Sequence, residues 1–263
     1  MLTHEAVIRL SAFIGVLLVL ALAERLWPRR GSRASRTKRW FANLGLVALA
    51  TLLVRVALPT AVVAWALTVE QRAWGLFNLI ALPAWLEVGL AVALLDLAIY
   101  LQHRVVHHLP VLWRLHRVHH SDLDFDVTTG VRFHPIELFL SILWKLVAIT
   151  VLGASPMAAL IFEVLLSAAS LWEHANLRLP ETLERRLRRV IVTPDMHRIH
   201  HSVLRDERDS NYGFCLSCWD RWLRSYTPAP RDGQAAMSIG LNGFREQQKL
   251  NLWRLLWQPL QPD

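Results

Sequence analysis

Eleven of the chain's twelve histidines fall between positions 103 and 201, and they are grouped rather than scattered. His103-x₃-His107-His108, His116-x₂-His119-His120 and His197-x₂-His200-His201 form three clusters, with His134 and His174 standing alone between them. On a helix, positions i and i+4 fall about 40° apart and i and i+3 about 60° apart, so each cluster can aim imidazoles to one side. Relative to His103, His107 is displaced by about 40° but His108 by about 140°, which leaves His108 off the shared face. His119 and His120 straddle His116 at about 60° and 40°, so both can turn inward. One ion rarely takes more than about four imidazoles, so roughly eight to ten converging ones imply two metals. Ligand type alone leaves Fe, Zn, Cu and Ni open. A metalloprotease H-E-x-x-H and a haem-attaching C-x-x-C-H are both absent. Cys215 and Cys218 form a lone C-x-x-C, with no second pair to complete a four-ligand zinc site.

The elements that must position these histidines are apolar. Hydrophobic residues make up 54% of the 263, and the chain carries 12 Trp and a net charge of +8. Such a basic chain suits nucleic acid or an anionic lipid surface, and the apolar runs favour lipid; nucleic acid is not an expected partner. The runs extend from Val7 to Trp27, Phe41 to Leu67, Leu76 to Leu101, Ile136 to Leu152 and Pro156 to Trp172. A bilayer needs about 20 helical residues, so the first three qualify. The last two, joined by Gly153-Ala154-Ser155-Pro156, read as a tight hairpin that spans or re-enters. The first run is read as an uncleaved span rather than a signal peptide, because its charged n-region is weak and Trp27 sits like an interfacial anchor.

Between the first two runs, the stretch from Pro28 to Arg39 is dense in Lys and Arg and should stay cytoplasmic. Counting spans from there puts every internal histidine cluster on that same side. The expected fold is therefore all-α: a multi-pass transmembrane helical bundle with a cytoplasmic histidine-rich helical cap. Residues 1–101 are expected to hold three spans, 102–135 a first cap segment, 136–173 a transmembrane or re-entrant hairpin, and 174–263 a second cap segment and tail. Pro180 to Val190 reads as a short arginine-studded surface helix.

Several ordered motifs now define a resemblance. Asp96 and Tyr100 lead into His103-Arg104-Val105-Val106-His107-His108, followed by Leu112-Trp113-Arg114-Leu115-His116-Arg117-Val118-His119-His120-Ser121. Then come Arg132-Phe133-His134-Pro135-Ile136-Glu137, His174-Ala175-Asn176, and Thr193-Pro194-Asp195-Met196-His197-Arg198-Ile199-His200-His201-Ser202, with Asn211-Tyr212-Gly213 and Trp219-Asp220 after them. Over about half its length the chain resembles the fatty acid hydroxylase/sterol desaturase superfamily of integral-membrane di-iron oxygenases. It departs where members continue Trp-Asp with Phe-Gly-Thr-Tyr; here Arg221-Trp222-Leu223-Arg224-Ser225-Tyr226 follows, which puts a local turn in question.

The resemblance implies that His103, His107, His116, His119, His120, His174, His197, His200 and His201 bind metal, with His134 a tenth ligand or a helix-start residue. It implies two iron ions, replaceable by zinc in purified protein, with O₂ as co-substrate and hydroxylation or desaturation of a lipid-like or sterol-like substrate as the outcome. Asp96, His108, Glu163, Asn176 and Asp195 are candidates to orient ligands or line the pocket. Arg55 is the candidate partner of Glu163 inside the membrane. No G-x-G-x-x-G and no His-Pro-Gly-Gly haem signature occurs, so electrons are expected from a separate protein of cytochrome b5 or ferredoxin type. The expected location is a bacterial inner membrane, or the endoplasmic reticulum in a eukaryote. Two other readings stay open: a membrane metal-binding or transport protein without oxygen chemistry, and an oxygenase that cleaves ether lipids or deformylates aldehydes.

Overall fold

A computed structural model describes residues 4–32, 34–58, 62–246 and 251–262; Arg33 of the basic loop and residues 59–61 of the second apolar run lie outside the described residues. No strand occurs among the described residues, apart from three isolated bridges. The long helices are α1 (Glu5–Leu26), α2 (Arg36–Ala57), α4 (Ala84–His108), α6 (Pro135–Leu152) and α7 (Pro156–Glu173), with a short α3 (Val62–Gln71) after α2. Among the described residues, five stretches are long and apolar enough to cross a membrane, the second of them lying within Arg36–Asn78. Leu10, Ile14, Leu18 and Leu22 form an exposed i, i+4 stripe on α1. Water would penalise that stripe, whereas lipid does not.

The second and third runs differ from their expected bounds. α2 stops at Ala57, and its cap Leu58 leaves helical geometry at φ −130° just before Pro59, which disfavours helix in the residue ahead of it. The expected span to Leu67 is thus divided, and Val62 to Gln71 forms α3 against α6 and α7. The third run starts later, because Pro83 caps α4, and it continues through His103 and His107 to His108. It therefore passes unbroken through the expected boundary at residue 101.

Contacts at the helix ends sort the bundle into two faces. At one end, Glu87 near the start of α4 accepts from Ser155 in the α6–α7 turn, and Trp65 of α3 donates to Thr150. That turn closes with Gly153 at φ +70°, the left-handed geometry glycine adopts without penalty, and Ser155 caps α7. At 18 residues, α6 and α7 each rise about 27 Å, near the thickness of a bilayer core. At the opposite end, Glu24 of α1 accepts from the amides of Val127 and Asn176, and Arg39 of α2 pairs with Asp122 and Asp126. The basic loop is tied down there too: Arg29 pairs with Asp195, and Asn176 exchanges hydrogen bonds with the Arg30 backbone.

On this second face lies a cap built from α5 (Pro110–His120), α8 (Glu181–Leu187), α9 (Pro194–His200), α10 (Arg205–Arg208), α11 (Cys218–Trp222), α12 (Gly233–Ala236) and α13 (Leu252–Trp257). The departure from the family pattern falls at the end of α11. Ser225 N donates to Asp220 O at 2.8 Å and Arg224 N to Arg221 O at 3.4 Å, a Schellman closure with Arg224 at φ +59°. The turn closes with arginine in the left-handed position, a geometry that glycine adopts without penalty. Arg224→Gly is therefore expected to stabilise the fold by about 1 kcal/mol. Thermal unfolding in detergent checks it, and an unchanged midpoint would show that the site carries no strain.

Candidate metal centre

Each ligand candidate is placed by a local rule. His103 and His107 lie one turn apart near the end of α4 and face inward, whereas His108 is exposed and its Nδ1 bonds back to Arg104 O at 2.7 Å. Pro110 at the first turn of α5 restarts the helix after Leu109 and carries His116, His119 and His120 to the centre. His174 is the C-cap of α7. Thr193 caps α9 and Pro194 opens it, so that His197 and His200 point inward, with His201 at the C-cap.

These nine imidazoles converge as two adjoining groups. His103, His107, His116, His120 and His200 form one, site A; His119, His174, His197 and His201 form the other, site B; within each group the candidate ligand atoms lie within 4.8 Å of one another. His120 of site A stacks on His201 of site B at 4.5 Å, so the two groups share a wall. His174 Nε2 lies 3.1 Å from the Nε2 atoms of His119, His197 and His201. His174 Nδ1 lies 2.7 Å from Ser170 O and carries the ring proton there, so Nε2 presents a lone pair. Three further nitrogens cannot all donate to that one lone pair. Nitrogens bound at about 2.1 Å to one ion are roughly 3.0–3.4 Å apart for angles of about 90–109°, which is the spacing seen here. In site A, His116 and His120 approach at 3.2 Å through Nε2, and His103, His107 and His200 have buried Nε2 atoms without a hydrogen-bond partner. The arrangement fits a cation in each group.

In five of the nine rings, His174 among them, the outward nitrogen meets an oxygen, whereas Nδ1 of His119, His120, His197 and His201 is buried without a hydrogen-bond partner. His103 Nδ1 meets Tyr212 O at 2.8 Å, His200 Nδ1 meets Ser210 O at 2.7 Å, and His116 Nδ1 meets Glu137 Oε1 at 2.6 Å. His107 Nδ1 lies 3.3 Å from Asp209. Such partners fix the tautomer and turn Nε2 toward the metal. Burial pushes the imidazoles of His119, His120, His197, His200 and His201 well below the usual histidine range, so they remain neutral and able to bind metal at neutral pH.

The remaining candidates fall elsewhere. His134 is in neither group; it is the N-cap of α6, accepting from Ile136 N at 3.2 Å, with its other nitrogen 3.2 Å from Leu256 O. Both of its ring nitrogens are engaged by backbone, at the start of α6 and apart from the two groups. The Asp96 carboxylate accepts from Cys215 N, Leu216 N and Trp219 Nε1 rather than from a histidine, fastening the segment that contains the free cysteines to α4. Glu163 pairs with Arg9 at 2.7 Å and Lys145 at 2.5 Å, while Arg55 is exposed on α2. Asn176 and Asp195 secure the basic loop, and Asp195 also pairs with the buried Arg198. Sequence reasoning missed Glu137 and Glu173 beside the ligands, and the Arg39–Asp122–Asp126 network beneath them. Burial raises the Asp122 pKa, but Arg39 and Arg132 outweigh it and hold the carboxyl well below its usual range.

Nine buried imidazoles in two ion-sized groups, at one end of a bundle of apolar helices, define a polyhistidine metal centre in a membrane protein. The fatty acid hydroxylase model matches residues 88–225, and the chain belongs to that family of oxidoreductases. It is 27% identical over 236 residues to the ornithine lipid hydroxylase OlsE of Rhizobium tropici, a match covering 88% of this chain and 70% of that protein. It is 28% identical over 195 residues to an alkylglycerol monooxygenase of Xenopus tropicalis, covering 70% of this chain and 42% of the relative. With its counterpart from Danio rerio it shares 32% identity over 165 residues, 59% of this chain and 34% of the relative. The chain thus spans less than half the length of these alkylglycerol monooxygenases. No solved structure matches the chain.

Proposed function

We propose that the protein is a membrane-bound non-haem di-iron oxygenase that hydroxylates a C–H bond of a membrane lipid. The observation that carries this reading is the division of nine buried imidazoles into groups of five and four. Two iron ions held there would supply the activation of O₂, in the balance R–H + O₂ + 2 e⁻ + 2 H⁺ → R–OH + H₂O. The chain's own part is to keep the nine imidazoles oriented, five of them through oxygen partners at Nδ1 and the others by packing, and to exclude water by burial. Electrons come from a separate donor of cytochrome b5 or ferredoxin type. The dense positive charge of the loop from Arg29 to Arg39, on the same face as the cap, favours a cytoplasmic metal centre in a bacterial inner membrane or the endoplasmic reticulum.

The similarity to alkylglycerol monooxygenases favours a second reading, in which the oxidised C–H bond lies beside an ether oxygen. Lipidomics under ¹⁸O₂ separates the two: one ¹⁸O in an otherwise intact lipid supports hydroxylation, and an aldehyde with a freed glycerol supports ether cleavage. Full iron occupancy without iron-dependent O₂ consumption would leave a metal-binding protein instead. Anaerobically purified protein is expected to hold about two metals per chain. A well-occupied preparation with one metal, or with haem, would overturn the two-metal reading.

A further inference from the structure

Glu173 is fully buried, and neither of its carboxylate oxygens has a hydrogen-bond partner. A buried carboxylate without partners is costly and calls for an explanation. It ends α7, immediately before the site B ligand His174. Its Oε1 lies 3.6 Å from His174 Nδ1 and its Oε2 lies 3.7 Å from His197 Nδ1. His174 already donates from Nδ1 to Ser170 O. His197 differs: its Nδ1 is buried without a partner, and its Nε2 faces site B, 3.1 Å from His174 Nε2. A neutral imidazole that presents Nε2 to a metal carries its proton on Nδ1, and here that proton faces Glu173. The counterpart in site A is already closed, with Glu137 2.6 Å from His116 Nδ1.

We propose that Glu173 is the positioning residue of site B: it accepts the Nδ1 proton of His197, fixes that ring's rotation, and places a negative charge beside the ion held there. The contact needs a closure of about 0.8 Å to become an ordinary hydrogen bond. Glu173 lies outside both groups of candidate ligand atoms, so it acts through the histidines and does not bind the metal itself. This inference rests on the two-metal reading above.

Two variants test it. Glu173→Gln keeps the volume and an accepting oxygen but removes the charge; Glu173→Leu removes both. Zinc affinities are read by chelator competition on the metal-free full chain, and iron reduction potentials by anaerobic titration, with circular dichroism of the metal-free protein as the folding control. Glu173→Leu is expected to weaken one zinc site of two by about 10–100-fold, the usual effect of losing a ligand's hydrogen-bond partner. Glu173→Gln should retain both ions while raising the potential of one iron, because a nearby negative charge that favours the ferric state is gone. Wild-type affinities and potentials in both variants would overturn the proposal alone. So would equal weakening of both sites with a loss of helix. A wild-type chain that takes fewer than two ions would overturn the two-metal reading and the proposal with it.

Discussion

His107→Ala is expected to empty site A and abolish turnover, whereas His108→Ala keeps both metals and most of its activity. The two residues are neighbours in α4, and the helix separates them by about 100°. The His107 ring is fully buried, with centroids 4.8 Å from His116, 4.8 Å from His120 and 4.6 Å from His200, and its Nε2 has no hydrogen-bond partner. His108 is exposed and spends its Nδ1 on a carbonyl of its own helix. Removing a partner of a metal ligand costs about 10–100-fold in affinity or activity, so loss of the ligand itself should exceed about 100-fold in turnover. For His108→Ala the expected loss is under about 5-fold, in line with a surface change. Metal analysis and turnover on both variants decide the matter. Equal metal loss in the two would show that the ligand set of site A is wrong.

The largest effect on stability is expected from Glu163→Leu, deep in α7. The Glu163 side chain is 4% exposed and Lys145 8%, and Arg9 from α1 completes the triad from a partly exposed position at 35%. Removing the carboxylate leaves a buried ammonium and a guanidinium facing each other without an anion, a defect that costs about 3–5 kcal/mol in comparable buried pairs. Lys145→Met added to Glu163→Leu removes the unpaired ammonium and is expected to recover most of the loss, because an apolar replacement of a whole buried pair is often neutral. Denaturant unfolding in detergent checks both variants. A single variant within about 0.5 kcal/mol of wild type would mean that lipid or water compensates the two cations. Metal content should not change, since Glu163 lies about 16 Å below His174 along the helix.

What the sequence made legible was what depends on local period. The i, i+3 and i, i+4 spacing picks out the inward histidines and separates His107 from His108, and runs of apolar residues locate the five stretches, among the described residues, that are long and apolar enough to cross a membrane. What escaped depends on which helices meet. Arg9 and Glu163 are 154 positions apart, and only the packing of α1 along α7 brings them together. Arg55 sits in an apolar run as Glu163 does, yet it ends up exposed on α2. Asp96 shares a helical face with His103, but the segment from Cys215 to Trp219 folds over that carboxylate and claims it. The His134-Pro135 pair carried a local signal for a helix start, and His134 is the N-cap of α6. Glu173 gave no signal at all, because its proximity to His197 arises from α7 meeting α9.

The allotment of ligands between the two groups also sets an order of assembly. Site A draws four of its five imidazoles, His103, His107, His116 and His120, from α4 and α5. Site B draws only His119 from that region; His174 follows the whole α6–α7 hairpin, and His197 and His201 come later still. A nascent chain that has released α5 therefore already carries four of the five imidazoles of site A but only one of the four of site B. A chain that stops before His201 lacks a member of site B, so an ion held there would be captured only after α7 has been made and the cap has folded back.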